Sequence, residues 1–173
     1  MKLILTPFTG DPEHRIFFAV SNTNGTLTCD YSIEGNTADI MLAEATGGAR
    51  KMYLWLTTCF ELFIRPDGGT AYYEFNFAPN GDYNIFRFEV YRGPLVESND
   101  FTACSRIVTL DREHLHFRAE ITPAKRFPLR GFSFLPSMVL KLKTGDEFFL
   151  ASHHSSPNAD FHDHDTYKNR LEF

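Results

Sequence analysis

Residues 60–92, FELFIRPDGGTAYYEFNFAPNGDYNIFRFEVYR, predict β-strands joined by short turns. Apolar and polar residues alternate along much of this segment, and that is the period of a strand with one buried face. The dipeptides at 67–68 (Asp-Gly) and 80–81 (Asn-Gly) are typical of tight turns between antiparallel strands. The segment therefore indicates an antiparallel sheet, with strands at 59–65, 71–78 and 83–91.

The two turns also predict which residues lie opposite each other. Centring the first turn on 67–68 places Glu61 across from Glu74. A two-residue turn at 80–81 places Glu74 across from Arg87. We expect the core-facing side of these strands to be formed by apolar residues, namely Phe60, Leu62, Tyr73, Phe75, Phe86 and Phe88.

Glu61, Glu74 and Arg87 would then form a charged row across the outer face of the sheet. Like charges directly opposite each other destabilise a sheet by up to about 1 kcal/mol, so either water reaches this face or Arg87 bridges both carboxylates. One interpretation is a solvated face with a salt-bridge ladder. The other is a polar platform that holds ligand hydroxyls while aromatic side chains stack on the ligand. The aromatic candidates are Tyr53, Tyr72, Tyr91 and Trp55, the last being the only tryptophan.

The rest of the chain has the same period of two. RIFFAVSNT and TLTCDYSI flank Asn24-Gly25, the strongest short signal for a type I′ turn, so we expect a hairpin over 15–33. Residues 37–46 are ambiguous between a short helix and a strand, and the polar C-terminal segment is expected to lead to a short closing strand. This pattern predicts a single all-β domain over 1–173, an antiparallel β-sandwich resembling a jelly roll. Further strands are predicted at 50–57, 104–110, 114–122, 132–142 and 147–153.

Composition argues against several kinds of partner and site. The chain has 173 residues and a net charge of -5 without a basic run, which argues against nucleic acid and acidic membrane surfaces as partners. The first apolar stretch is too short for a signal peptide and no segment approaches a membrane span, so we expect a cytoplasmic protein. The 3 cysteines are widely spaced and suggest neither a disulfide framework nor a zinc site. The oligomeric state stays open.

Three segments resemble the bacterial DOMON-like proteins related to family 9 carbohydrate-binding modules. They are LWLTTCFELFIRP (54–66), YYEFNFAPNGDYNIFRFEVYRG (72–93) and SHHSSPNADFHDHDTYKNRLEF (152–173). The resemblance implies a β-sandwich with a ligand groove, and sugar or haem as the ligand class. It also implies that Trp55, Glu61 and Arg87 contact the end of a sugar. The second tryptophan of the family's aromatic clamp has no counterpart here, and Phe161 or His162 could replace it.

The residues leave three other functions open. The run SHHSSPNADFHDHD could hold a transition metal, but its H-x-H spacing is weak, and we favour a hydrogen-bonded loop in which Asp160 and His162 close over the groove. Haem binding would need axial ligands such as Met138 and a histidine. A glycosidase-like hydrolase could use Glu61 and Glu74, since directly opposed residues bring carboxyl groups about 5 Å apart.

The sequence therefore predicts non-catalytic binding of a small polyhydroxylated ligand, in the first place a carbohydrate, with no metal and no cofactor. Glu61, Glu74 and Arg87 would hydrogen-bond the ligand, so Arg87→Ala is expected to abolish binding without unfolding the protein. The candidate binding residues are Trp55, Glu61, Glu74, Asn76, Arg87, Tyr91, Asp160, Phe161 and His162.

Overall fold

The computed structural model describes residues 1–44, 47–124, 131–156 and 158–172. Within these ranges the chain forms twelve β-strands and three single-turn 3-10 helices, and it contains no helix with the length and apolarity needed to cross a membrane. The strands are β1 (Lys2–Pro7), β2 (Arg15–Thr23), β3 (Thr26–Glu34), β4 (Cys59–Pro66), β5 (Tyr72–Phe77), β6 (Tyr83–Phe88), β7 (Val96–Glu97), β8 (Phe101–Leu110), β9 (His114–Pro123), β10 (Gly131–Lys141), β11 (Glu147–Ala151) and β12 (Asn169–Glu172). The 3-10 helices are Thr37–Asp39, Leu54–Leu56 and His164–Thr166.

The strands form two antiparallel sheets that share β1. The first sheet has the order β1-β2-β3-β9-β8, and the second has the order β7-β6-β5-β4-β10-β11-β1, with β12 beside the start of β10. The strand β1 pairs with β2 through its first part and with β11 through Thr6 and Pro7, so it crosses from one sheet to the other. Packing of the two sheets face to face gives an all-β antiparallel sandwich.

The core between the sheets is strongly aromatic. Alternate residues of each strand face inward, because successive side chains of a strand point to opposite sides. The ring of Phe60 in the second sheet stacks on that of Phe117 in the first, with 4.1 Å between centroids. The buried hydroxyl of Tyr31 donates to the backbone carbonyl of Glu61, which links the two sheets by a hydrogen bond.

Most predicted strands are confirmed. The first hairpin pairs Thr23 with Thr26, and both turn residues have positive φ, 52° at Asn24 and 83° at Gly25, as a type I′ turn requires. The strands predicted at 59–65, 71–78, 83–91, 104–110, 114–122, 132–142 and 147–153 correspond to β4, β5, β6, β8, β9, β10 and β11. The expected closing strand is β12.

Other elements differ from the prediction. Residues 50–57 do not form a strand, because the backbone turns at Tyr53, whose φ of 60° is left-handed, and continues into a 3-10 helix. Residues 37–46 begin with a 3-10 helix and a single bridge at Ile40, while residues 45 and 46 lie outside the described part of the chain. The strands β1 and β7 were not predicted.

The predicted register is wrong at the turn around Asn80. Phe77 pairs with Tyr83, so the connection has five residues, 78–82, and is closed by hydrogen bonds from the Ala78 and Gly81 N–H groups. A slip of one residue moves every side chain of a strand to the opposite face.

The slip changes which residues of β6 face the core. Phe86 and Phe88, predicted in the core, lie on the outer face of the second sheet, and Arg87 lies on the other face. At the first turn the shift is two residues: Glu61 pairs with Asn76 and not with Glu74. A shift of two preserves the faces, so Glu61 and Glu74 still share the outer face, as diagonal and not direct neighbours.

Replacing Phe60 by alanine tests the inter-sheet stack. Loss of a fully buried aromatic ring in this position is expected to lower the free energy of unfolding by about 3–5 kcal/mol, measured by urea denaturation. Ile4→Ala is the control, because that side chain is 59% exposed and its loss should cost about 0.5 kcal/mol or less. Equal losses in the two variants would contradict the central role of the stack.

Candidate functional site

The outer face of the second sheet is covered by loops. Apolar side chains of β4, β5, β6 and β10 on this face are buried under three segments: the 3-10 helix Leu54–Leu56, the loop 89–95 and the C-terminal segment, described over 152–156 and 158–168. Glu61 is only 3% exposed and Glu74 only 5%. The interpretation of this face as a solvated salt-bridge ladder is therefore wrong, since solvent does not reach the two carboxyl groups freely.

A pocket of about 310 Å³ lies between this face and the loops. We call it the outer-face pocket. The sheet contributes two carboxyl groups and a few apolar side chains, and the loops contribute aromatic rings and one guanidinium. The lining residues are Glu61, Phe63, Glu74, Val139 and Phe149 from the strands, and Trp55, Arg92, Leu95, Ala159, Phe161 and His162 from the loops.

The pocket brings together five of the predicted binding residues: Trp55, Glu61, Glu74, Phe161 and His162. Three more of the predicted residues, Asn76, Tyr91 and Asp160, form hydrogen bonds with residues that line the pocket. Asn76 is fully buried and donates Nδ2–H to Oε1 of Glu74 at 2.7 Å. Asp160 accepts hydrogen bonds from the hydroxyl of Tyr91 and, at 3.0 Å, from the guanidinium of Arg92. These bonds fix the C-terminal segment against the loop that follows β6.

Arg87 does not belong to this group, and the charged row that contained it is not formed. Its guanidinium lies on the other face of β6, 2.9 Å from Glu89, 3.4 Å from Asp100 and 5.9 Å from the centroid of the Tyr73 ring. The cause is the five-residue connection between β5 and β6, which turns Arg87 away from the pocket.

The guanidinium that lines the pocket is that of Arg92, which the sequence analysis did not single out. Arg92 lies in the loop after β6, and its own backbone is left-handed, with a φ of 49°. The dipeptide Gly93-Pro94 marks the end of a strand here, so a loop residue was foreseeable, although its direction was not. Val139 and Phe149 were also missed, because their place depends on pairing between distant strands.

Burial controls the ionisation of Glu61. Burial, and secondly the charge of Glu74, raise the pKa of the Glu61 carboxyl well above its ordinary value of 4.5. The hydroxyl of Ser137 donates a hydrogen bond to Oε2 of Glu61 at 3.4 Å. Burial therefore favours the protonated form of Glu61, which offers the pocket both a donor and an acceptor.

Glu74 and His162 face each other, and their pKa values are shifted in opposite directions. Burial raises the pKa of Glu74 to about 7, although the Asn76 hydrogen bond and the charge of Arg92 act against it. Burial, and secondly the charge of Arg92, lower the pKa of His162 to about 4. His162 Nε2 lies 3.8 Å from Glu74 Oε2, so a neutral ring stands beside a carboxyl that titrates near neutral pH.

The tautomer of His162 follows from its second nitrogen. Nδ1 lies 2.9 Å from the hydroxyl of Tyr72, which itself accepts the backbone N–H of Arg92 at 3.1 Å. Burial raises the pKa of Tyr72 to about 12, so this hydroxyl keeps its proton and can donate it to Nδ1. The proton of the neutral imidazole is then on Nε2, where it faces Glu74.

Several residues weighed for metal and haem binding have other partners. His164 approaches the guanidinium of Arg65 at 3.3 Å, and Asp163 caps the last 3-10 helix by accepting the Asp165 N–H. The described ranges contain no group of three or more His, Cys, Asp and Glu side chains placed to hold a metal ion. Met138, considered as an axial haem ligand, is fully buried in the core between the sheets.

Comparison with known proteins shows the fold. No protein-family model matches this sequence, and no curated protein is significantly similar to it. A protein from Bacteroides uniformis ATCC 8492, provisionally described as carbohydrate-binding, has a TM-score of 0.70 at 16% identity, over 100% of this chain and 86% of that one. A family 9 carbohydrate-binding module from Caldicellulosiruptor kristjanssonii, solved in complex with glucose, has a TM-score of 0.53 at 8% identity, over 83% and 68% of the two chains. The predicted fold class, a β-sandwich like that of carbohydrate-binding modules, is confirmed.

The buried proton of Glu61 predicts a pH-dependent stability. The folded carboxyl keeps its proton above pH 4.5, where the unfolded chain has lost it, so this group contributes stability below pH 4.5 that is lost as the pH rises. In Glu61→Gln no carboxyl ionises at this position, so the variant does not lose this stability as the pH rises. Relative to wild type, the variant should gain up to about 1.4 kcal/mol in free energy of unfolding per pH unit above pH 5.

Urea denaturation at pH 5, 6, 7 and 8 measures this difference. Glu89→Gln is the matched control, because its carboxylate is 67% exposed and the change removes one charge without touching the pocket. A constant difference between Glu61→Gln and wild type across this range would show that Glu61 is already ionised in the folded protein.

Proposed function

We propose that the chain binds a small polyhydroxylated ligand, a carbohydrate, in the outer-face pocket without cleaving it. The observation that carries the proposal is the pairing of buried carboxyl groups with aromatic side chains in one pocket, on a fold shared with carbohydrate-binding modules. A sugar ring has an apolar C–H face and a polar edge, and this lining is complementary to both. Kinship with the DOMON-like proteins is part of the proposal and rests on the sequence motifs.

The aromatic part of the lining would pack against the ring. Trp55 is held by edge contacts with Tyr53 and Phe86, with centroids 5.5 Å and 6.2 Å away. Phe161 contacts the rings of Phe63 and Phe149, and so supplies a second apolar surface from the C-terminal segment. In this arrangement Phe161 replaces the second tryptophan that the sequence lacks.

The polar part would bind hydroxyl groups. Glu61, which is protonated, can donate to one sugar oxygen and accept from another hydroxyl. Glu74 can accept as a carboxylate, and the Arg92 guanidinium supplies charge-assisted donors. Asn76, Tyr91 and Asp160 would act indirectly, because they hold Glu74 and Arg92 in place.

The single tryptophan provides a direct assay. Because Trp55 is the only tryptophan and lines the pocket, its fluorescence should change on titration with glucose, galactose, xylose, cellobiose or maltose. Arg92→Ala should weaken binding of the responsive sugar about 10-fold, the effect of losing a charged hydrogen bond. Arg87→Ala, which removes an equal charge on the other face of β6, should leave affinity unchanged. Loss of binding in Arg87→Ala but not in Arg92→Ala would overturn this site.

A second candidate function is glycoside hydrolysis, and one observation favours it. Glu61 and Glu74 line the same pocket, and burial raises the pKa of both, as acid–base catalysis requires of a proton donor. Our proposal expects no release of nitrophenol from nitrophenyl glycosides above the rate in buffer. Turnover by the wild-type protein that is lost in Glu61→Gln would replace binding with hydrolysis as the function.

A further inference from the structure

The two carboxyl groups of the pocket lack a cationic partner in the described part of the chain. Among the described residues, no Lys or Arg nitrogen lies within salt-bridge distance of Glu61 or Glu74, whose polar contacts include Ser137, Asn76 and His162. Burial lowers the pKa of His162 to about 4, so its ring is neutral at neutral pH. The pocket therefore encloses two acidic groups that have no ion pair with a Lys or Arg of the described chain.

Arg92 acts on Glu74 through its charge but forms its ion pair elsewhere. Its Nη2 lies 3.0 Å from Asp160 and its Nε lies 3.3 Å from the Tyr91 hydroxyl. Hydrogen bonds from Tyr91 and Arg92 keep the pKa of Asp160 below 3.8 in spite of its burial, so Asp160 is a carboxylate that pairs with Arg92. The charge of Arg92 acts to lower the pKa of Glu74, but burial outweighs it.

We propose that the outer-face pocket selects an amino sugar, whose ammonium group lies beside Glu61 and Glu74 while its ring packs against Trp55 and Phe161. This inference rests on the proposed carbohydrate-binding function and names its substrate class. A buried carboxylate is costly without an opposite charge, and a ligand cation removes that cost on binding. A hydroxyl group at the same position of a neutral sugar has one donor and no charge, whereas an ammonium has three donors and a positive charge.

Binding of such a ligand should release a proton. In the free pocket burial favours the protonated form of Glu61 and raises the pKa of Glu74 to about 7, so at pH 6 Glu74 mostly carries its proton. An ammonium favours the ionised form of a neighbouring carboxyl and displaces its proton. Burial favours the neutral form of the other ionisable groups around the pair, apart from the charged Arg92. These groups are Tyr31, Cys59, Tyr72, His162 and Tyr167.

The test compares glucosamine with glucose and N-acetylglucosamine. Trp55 fluorescence and titration calorimetry at pH 6 measure affinity, and calorimetry in two buffers of different ionisation enthalpy measures proton release. Glucosamine should bind about 10- to 100-fold more tightly than the two neutral sugars. It should also release about one proton, while glucose releases none.

Carboxyl variants connect the preference to the pocket. Glu74→Gln and Glu61→Gln should each reduce the ratio of the glucosamine affinity to the glucose affinity. Glu89→Gln is the control: it removes an exposed carboxylate directly after β6, outside the pocket lining, and should leave this ratio unchanged. Equal affinity for glucosamine and glucose, or a ratio unchanged in Glu74→Gln, would overturn the inference while leaving carbohydrate binding intact. If no sugar binds, the proposed function and this inference both fall.

Discussion

Burial of both faces of the second sheet is the constraint on which the rest of the structure depends. All six residues of β5 and the first six of β4 are buried, so neither face of these strands can be left to water. One face packs on the first sheet. The other is covered by loops, because exposing its aromatic side chains would cost about 25 cal/mol for each Å² of apolar surface. A cover made of separate loops does not pack as densely as a third sheet would, and the outer-face pocket is the space that remains.

The same burial sets the charge of the pocket. Glu61 stays protonated, His162 stays neutral, and Glu74 titrates near pH 7, so below that pH the carboxyl–imidazole group carries little net charge. The effects of Glu74 and His162 on stability oppose each other between pH 4.5 and 6.5. The raised pKa of Glu74 lowers stability as the pH rises, and the depressed pKa of His162 raises it.

The elements with strong local signals could be predicted from the sequence. The Asn24-Gly25 hairpin and most strands follow from period-two alternation and turn dipeptides. The side on which Arg87 lies could not be predicted, because Asn80-Gly81 suits a two-residue turn as well as the longer connection that forms. The longer form is favoured by the hydrogen bond from the Ala78 N–H to the Asp82 carbonyl and by the burial of Asp82, which bonds the Ala49 N–H. The bond between Asp82 and Ala49 joins residues 33 positions apart in the chain, which no local pattern reveals.

Both the sheet and the loops line the outer-face pocket. The sheet supplies Glu61 and Glu74, whereas Trp55, Arg92 and Phe161 come from loops. Two of these loops contain a left-handed non-glycine residue at the pocket: Tyr53, two positions before Trp55, and Arg92 itself. Each such residue costs on the order of 1 kcal/mol or more, and persists only where surrounding contacts hold it. Here the contacts are the packing of Trp55 on Phe86 and the ion pair of Arg92 with Asp160. The similarity at 8–16% identity therefore shows a shared fold, and the side chains that line the pocket have to be read from this chain's own residues.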